Sequence, residues 1–379
     1  MRVSVPSIPN AILSSPSSAA KTTPAEAIER VAAFLAPGNV TTITGAGVSV
    51  DSGIRAYRGA KGRYLNPNYK PIFYHELMDP TPKGFAYRDT GERAAMVGAY
   101  RSVSYLASLY RLRSYLGYLP VRQALPNPTH FALAAMQYKG VIPHLITQNV
   151  DGLHHKALAN VWDQSTLEDR ILELHGTLHK VHCSHGHAVH RDTFQDWLSA
   201  ANPQWKAFAD NLEATGRKPR TNPDGDVVLE GVKYDDFVVP ECPTCLEEGR
   251  HNRTQKPELI FFGESIRPEV RARSYANIDA CDRLFLVGTT LATFSAFRLL
   301  RHALELRKPV LMLNVGPTRA DGLEGLEKIE VPSGLVLRDV VRAVLCVYPI
   351  LASEDPVVVD MLRSGVVKPP PEDDSEVDA

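Results

Sequence analysis

Between residues 23 and 44 the chain passes from one periodicity to another. Ile28, Val31, Ala32 and Leu35 recur at helical spacing behind Thr23-Pro24-Ala25-Glu26, a capping box with proline in the first turn, and Pro37-Gly38 stops the run. Val40-Thr41-Thr42-Ile43-Thr44 then predicts a β-branched strand that runs straight into glycines. The same order returns further on. Residues 141–147 predict a strand ending in Gln148-Asn149-Val150-Asp151, and Arg283–Val287 one ending in Gly288-Thr289-Thr290 with a helix over about 294–307. Residues 309–313 predict another, ending in Asn314. Apolar strands that close in small or polar residues, with helices between them, predict an α/β fold with a doubly wound, parallel, Rossmann-like sheet. Ligands of such sheets bind beyond the carboxyl ends of the strands, where these polar clusters fall.

Two stretches break the pattern. Residues 60–125, rich in Tyr, Arg and Pro, read as a helical or loop insertion, and residues 178–256, with a His/Cys cluster, as a smaller module. The sheet domain is then expected from 23–59, 126–177 and 257–350. Residues 1–22 are rich in Ser, Pro and Ala and carry no acid, which fits a transit-like leader or a plain disordered segment. Residues 368–379, three prolines and an acidic run, read as a disordered tail.

Composition narrows the function classes only a little. The formal net charge of −1 supplies no bulk attraction to nucleic acid or to a membrane surface. The longest uncharged apolar run, from Leu284 to Phe297, is too short and too polar to span a bilayer. Five cysteines are too few, and odd in number, for a disulfide scaffold.

The glycines after the first strand pose the chemical question. A dehydrogenase fingerprint needs G-x-G-x-x-G and an acid about 20 residues later, but Gly45-Ala46-Gly47 is followed by Val50 in the third position, and no Asp or Glu occurs between Asp51 and Glu76. These glycines would still let backbone approach a pyrophosphate. An ordinary strand-to-helix turn would also account for them taken alone. The polar strand end at 147–154 and the histidine in Leu172-Glu173-Leu174-His175-Gly176 add hydrogen-bonding groups and a candidate general base, although a lone histidine in such apolar surroundings is as well read as a packed core residue.

In order, GAGVSVDSGI, TQNVDGLHHKA, LELHGT, CPTC, PELIFFGE, LVGTTL and LNVGPTRAD resemble the sirtuins, the NAD-dependent protein-lysine deacylases, over about residues 25–345. PNPTHFAL, NPDGDV and NVGPTRAD are most similar to the class II, mitochondrial-type branch. The resemblance implies that Gly45, Ala46, Gly47 and Ser49 approach the NAD pyrophosphate and ribose, with Tyr57 and Arg58 on a mobile cofactor loop. It implies that Gln148 and Asn149 hold the nicotinamide ribose and Asp151 the carboxamide, with His175 as catalytic base and Asn149 beside the reacting sugar. Gly288, Thr289 and Thr290 would line the dinucleotide, Asn314 would meet the adenosine ribose, and Ser333 would close over the adenine. Ile260, Phe261, Phe262 and Gly263 would lie against an acyl-lysine peptide by strand addition. Implied products are nicotinamide, free lysine and O-acyl-ADP-ribose, in a mitochondrial or else a nuclear or cytoplasmic setting. The same site could instead pass ADP-ribose to protein, or sense NAD with little turnover.

Two departures stand out. Where the family writes G-I-P-D-F-R, this chain has Gly53-Ile54-Arg55-Ala56-Tyr57-Arg58, which loses a rigid kink and a carboxylate and adds a cation near the expected nicotinamide pocket. The family's two C-x-x-C pairs for structural zinc become Cys183-Ser184-His185-Gly186-His187 and Cys242-Pro243-Thr244-Cys245. The expected metal set is Cys183, His185, Cys242 and Cys245.

Overall fold

A computed structural model describes residues 5–14, 22–58, 62, 73–75, 103–215, 237–347 and 355–370. Its larger sheet has six parallel strands: β1 (Val40–Thr44), β2 (His144–Thr147), β3 (Ile171–Glu173), and, after a smaller module carrying β4 (Gly176–Cys183), β5 (Ala188–His190) and β6 (Gln255–Leu259), β7 (Arg283–Val287), β8 (Val310–Leu313) and β9 (Leu326–Ile329). The order across the sheet is β3-β2-β1-β7-β8-β9. Thr42 pairs with Leu145 on one side and with Phe285 on the other, so the direction of winding reverses between β1 and β7.

Successive strand residues supply opposite cores, which is why the strands read as continuous apolar runs. Phe285, Val287, Leu311 and Leu313 join Val31, Leu35, Leu133 and Val340 on one face. Ile43, Leu284, Leu286 and Met312 join Ile278, Leu299 and Leu300 on the other. At the helix Pro24–Leu35 half of the predicted capping box forms: Glu26 N–H donates to Thr23 Oγ1 at 3.3 Å, while the Glu26 carboxylate pairs with Arg30.

The smaller module is an antiparallel sheet, β5-β4-β6. Val181 of β4 packs with Phe194, Leu198 and Trp205 of the helices Arg191–Ala201 and Pro203–Ala214, and with Tyr115 and Leu116 of the helix Val103–Gln123. Apart from that helix, the region read as an insertion lies almost wholly outside the described residues, as does NPDGDV.

Within the segment read as a leader, Asn10–Leu13 form a helical turn, Ile8 is buried, and the Pro6 carbonyl accepts from the Arg58 guanidinium. After the helix Pro356–Arg363, Val366 N–H donates to Pro126 O (3.2 Å) and Lys368 N–H to Asp51 O (2.7 Å), so the first residue of the expected tail is bonded to the turn that follows β1. Residues 371–379 lie outside the described residues.

Three of the five cysteines gather at the far end of β4, where the geometry favours His187 over the expected His185 as fourth ligand. Cys183, Cys242, Cys245 and His187, rather than His185, place their ligand atoms within 4.8 Å of one another. Gly186 turns the chain in the left-handed region (φ 88°) and Gly186 N–H bonds back to Cys183 O, so the residue after the glycine, His187, is the one returned to Cys183. His185 Nδ1 lies 2.9 Å from Asn252 Nδ2, whose N–H it accepts. A tetrahedron with ordinary zinc–ligand bond lengths has S···S edges of about 3.8 Å and S···N edges of about 3.5 Å. Cys183 and Cys245 sulfurs stand 3.8 Å apart, and His187 Nδ1 stands 3.3 Å and 3.7 Å from the Cys245 and Cys242 sulfurs. His187 Nε2 faces Glu248 at 3.4 Å, the carboxylate partner that orients many metal-binding imidazoles. The donor set fits structural zinc: four protein ligands close the coordination shell and leave no open position for a substrate.

Metal analysis of the purified protein is therefore expected to find one zinc per chain. Cys242→Ser and His187→Ala should lose it, with a fall in Tm of roughly 10 °C, since such sites couple metal binding to folding. His185→Ala should keep it. Zinc retained by His187→Ala and lost by His185→Ala would make His185 the fourth ligand.

Candidate active site at the strand ends

Where β1 and β7 part, two glycine turns touch through their backbones. Gly45 N–H donates to Val287 O (3.2 Å) and Gly47 N–H to Gly288 O (2.9 Å). A Cβ on Gly47 would stand 2.7 Å from Gly288 O, and one on Gly288, at φ +58°, 2.6 Å from Val48 N. A Cβ on Gly45 would stand 2.8 Å from Thr289 Cβ. Ala46–Ser52 continue as a 3-10 turn with Ala46 half-buried and Gly47 exposed, leaving main-chain N–H groups of that turn at the strand ends.

Behind these turns the polar residues form one network. Asn149 Nδ2 donates to Gly45 O (3.2 Å) and to Ser49 Oγ (3.1 Å), and Ser49 Oγ donates to Asp151 Oδ2 at 2.7 Å. Leu153 N–H holds the other carboxylate oxygen at 3.0 Å. Gln148 bridges β2 to the loop after β7: its Nε2 donates to Thr289 Oγ1 (2.8 Å) and Thr44 O (3.2 Å), and its Oε1 accepts from Thr293 Oγ1 (3.1 Å).

His175 follows β3. A carbonyl can only accept, so the 3.2 Å contact with Gln148 O places the proton on Nδ1 and leaves Nε2 to accept from Ser295 Oγ at 2.7 Å. Burial pushes its pKa down to about 4, so the ring is neutral and Nε2 is available as a base at physiological pH. Ile260 N–H donates to His175 O at 2.8 Å, which brings the segment Ile260–Gly263 against the base. Glu264 closes that turn, accepting from Phe261 N–H (2.9 Å) and from the buried Lys256 ammonium (2.9 Å), with Gly263 at φ +83°. Phe262 O already accepts from Tyr74 N–H at 2.8 Å, so part of the edge expected for an incoming peptide is paired within the chain.

The remaining expected residues are more dispersed. Thr290 O accepts from Arg319 N–H, Asn314 Nδ2 donates to Val315 O (3.0 Å), and Ser333 Oγ lies 3.0 Å from Thr129 Oγ1. Tyr57 and Arg58 are half-buried beyond the 3-10 turn. Arg55 is buried and follows Ile54, which packs with Val150, Leu153 and Phe261 beside the network.

Sequence reasoning missed His130, His154 and Ser295. His130 is the third residue of the helix Pro128–Tyr138, where Asn127 N–H donates to its Nδ1, leaving Nε2–H to face Ser49 Oγ at 3.4 Å. Asn-Pro followed by His at the third helical position is a readable capping pattern and could have exposed it. His154 Nε2 meets Thr44 Oγ1 at 3.0 Å, and burial pushes both of these histidines well down.

A Sir2 family profile matches residues 101–295. The chain is 36% identical over 313 residues to the NAD-dependent protein deacylase SIR4 of Batrachochytrium dendrobatidis, covering 81% of this chain and 90% of that one. It is 31% identical over 287 residues to the mitochondrial NAD-dependent protein lipoamidase sirtuin-4 of Bos taurus, covering 75% and 76%. A solved Sir2 homolog–NAD complex shares the fold with a TM-score of 0.51 at 22% identity, over 83% of this chain and 93% of that one. By family match, identity and coverage together, the chain belongs to the Sir2 family.

Proposed function

We propose that this protein is an NAD-dependent protein-lysine deacylase that consumes NAD at the ends of β1, β2 and β7. The observation that carries the reading is His175: a neutral imidazole whose tautomer is fixed by Gln148 O and whose basic Nε2 accepts from Ser295 Oγ, a hydrogen bond that a ribose hydroxyl would replace, beside the Ser49–Asn149–Asp151 network. NAD supplies an electrophilic ribose carbon from which nicotinamide departs as the acyl-lysine amide oxygen attacks. His175 Nε2 then accepts the proton of a ribose hydroxyl, whose oxygen attacks the imidate carbon; lysine leaves as its free amine, and one water opens the resulting cyclic cation to O-acyl-ADP-ribose. Asn149 and Gln148 orient the sugar, and Asp151, fixed by Ser49 and Leu153 N–H, faces the carboxamide. Ile54, Val150, Leu153 and Phe261 form an apolar wall that keeps water from the activated sugar. Acyl-lysine proteins are the partners. The compartment we assign is the mitochondrion, supported by the name of the Bos taurus relative. Among the described residues no helix is long and apolar enough to cross a membrane.

A panel of acyl-lysine peptides, with nicotinamide release and peptide mass followed together, tests the reaction. Loss of acyl mass from the peptide is expected, and an ADP-ribose mass gain on protein without deacylation would overturn it. His175→Ala should cut kcat by roughly 10²–10⁴-fold while NAD still binds. Because the base is active unprotonated and burial lowers its pKa, the acid limb of kcat/KM should fall towards pH 4 rather than 6.5. Unchanged turnover in the mutant would remove His175 from the mechanism.

Arg55 sets up a second test. Arg55 is buried, and at the position the family resemblance assigns it, near the nicotinamide pocket, its charge would oppose the positive charge that develops on the sugar as nicotinamide leaves. Arg55→Pro with Ala56→Asp should raise kcat for nicotinamide release by on the order of tenfold, about 1.4 kcal/mol, with little change in NAD affinity. An equal or lower rate in a folded double mutant would show that the loop serves another substrate.

A further inference from the structure

The smaller module meets the site along β4 as well as through the segment after β6, and on β4 the contact is made by a histidine that the mechanism does not use. Leu178 N–H of β4 donates to Val150 O at 3.0 Å. The next residue, His179, places Nε2 2.9 Å from the Asp151 carbonyl, which can only accept, so Nε2 carries the proton. Its ring lies flush over the following peptide: Gly152 is left-handed (φ +69°), and a Cβ there would stand 2.7 Å from His179 Nε2. On the far side Nδ1 faces Tyr118 Oη at 3.5 Å, with the two rings edge to face at 6.0 Å. Tyr118 in turn donates to Asp192 at 3.0 Å, and Asp192 pairs with Arg122.

Asp151 is therefore held at three atoms: one carboxylate oxygen by Ser49 Oγ, the other by Leu153 N–H, and the carbonyl by His179. Only the third reaches it from the module that carries the cysteine cluster. We propose that His179 is a positioning residue for the nicotinamide end of the site, clamping the Asp151–Gly152 peptide so that the Asp151 carboxylate is set at the carboxamide. The proposal rests on the functional reading above, because it is NAD's carboxamide that Asp151 would meet.

The test compares NAD with ADP-ribose, which lacks the nicotinamide, by calorimetry on the full chain with zinc content measured alongside. His179→Leu removes the donor and leaves a buried carbonyl unpaired. NAD binding should weaken about tenfold, while ADP-ribose binding and zinc stay as in the parent protein. His179→Gln and His179→Glu form an isosteric pair that carries the test even if the leucine variant misfolds. Glutamine can still donate to Asp151 O and should bind NAD like the parent, whereas glutamate offers that carbonyl only acceptors and should lose NAD affinity selectively. Equal NAD binding by the Gln and Glu variants, or equal weakening of NAD and ADP-ribose, would overturn the positioning role. A parent protein that binds neither ligand would overturn the functional reading and this proposal with it.

Discussion

Gly47 and Gly288 are in contact through their main chains, and the geometry of the site follows from that closeness. The amide of one turn donates to the carbonyl of the other at 2.9 Å, with no room for a Cβ on either. A side chain on either would separate the loops that leave β1 and β7. Ser49 moves with the first loop and Thr289 with the second, so the same displacement would part Ser49 from Asp151 and Gln148 from Thr289. The absence of two methyl groups thus aligns groups drawn from three strands.

A second constraint concerns charge. His130, His154 and His175 are all kept neutral by burial, and each acts through hydrogen bonds instead of as a cation. Main-chain groups decide the tautomers of His130 and His175: Asn127 N–H makes one Nδ1 an acceptor and Gln148 O makes the other a donor. Because backbone fixes the proton positions, the network has a defined direction, running from His130 through Ser49 to Asp151. Neutral rings suit the proposed reaction, in which positive charge develops on the sugar.

What could be read from the residues was whatever depends on local pattern. β1 and β7 show as β-branched or apolar runs closed by glycine, and their observed bounds are those the pattern predicts. β3 and β9 were missed, being three and four residues long with mixed burial. Ser295 is an ordinary helix serine until folding sets it against His175, 120 residues away in sequence. Spacing points to His185 where the folded chain gathers His187 with the three cysteines, because spacing gives distance along the chain but not the direction in which Gly186 turns it.

The segment from Ser364 to Lys368 shows this limit most plainly. It is tied to Pro126 and Asp51 through its own amides, and Gly365, at φ +108°, passes so close to Pro128 that a Cβ would stand 2.7 Å from the proline nitrogen. Apart from that glycine, the attachment is indifferent to which side chains the segment carries. Its hold therefore belongs to the path of the main chain, and exchanging most of its side chains would leave both bonds in place.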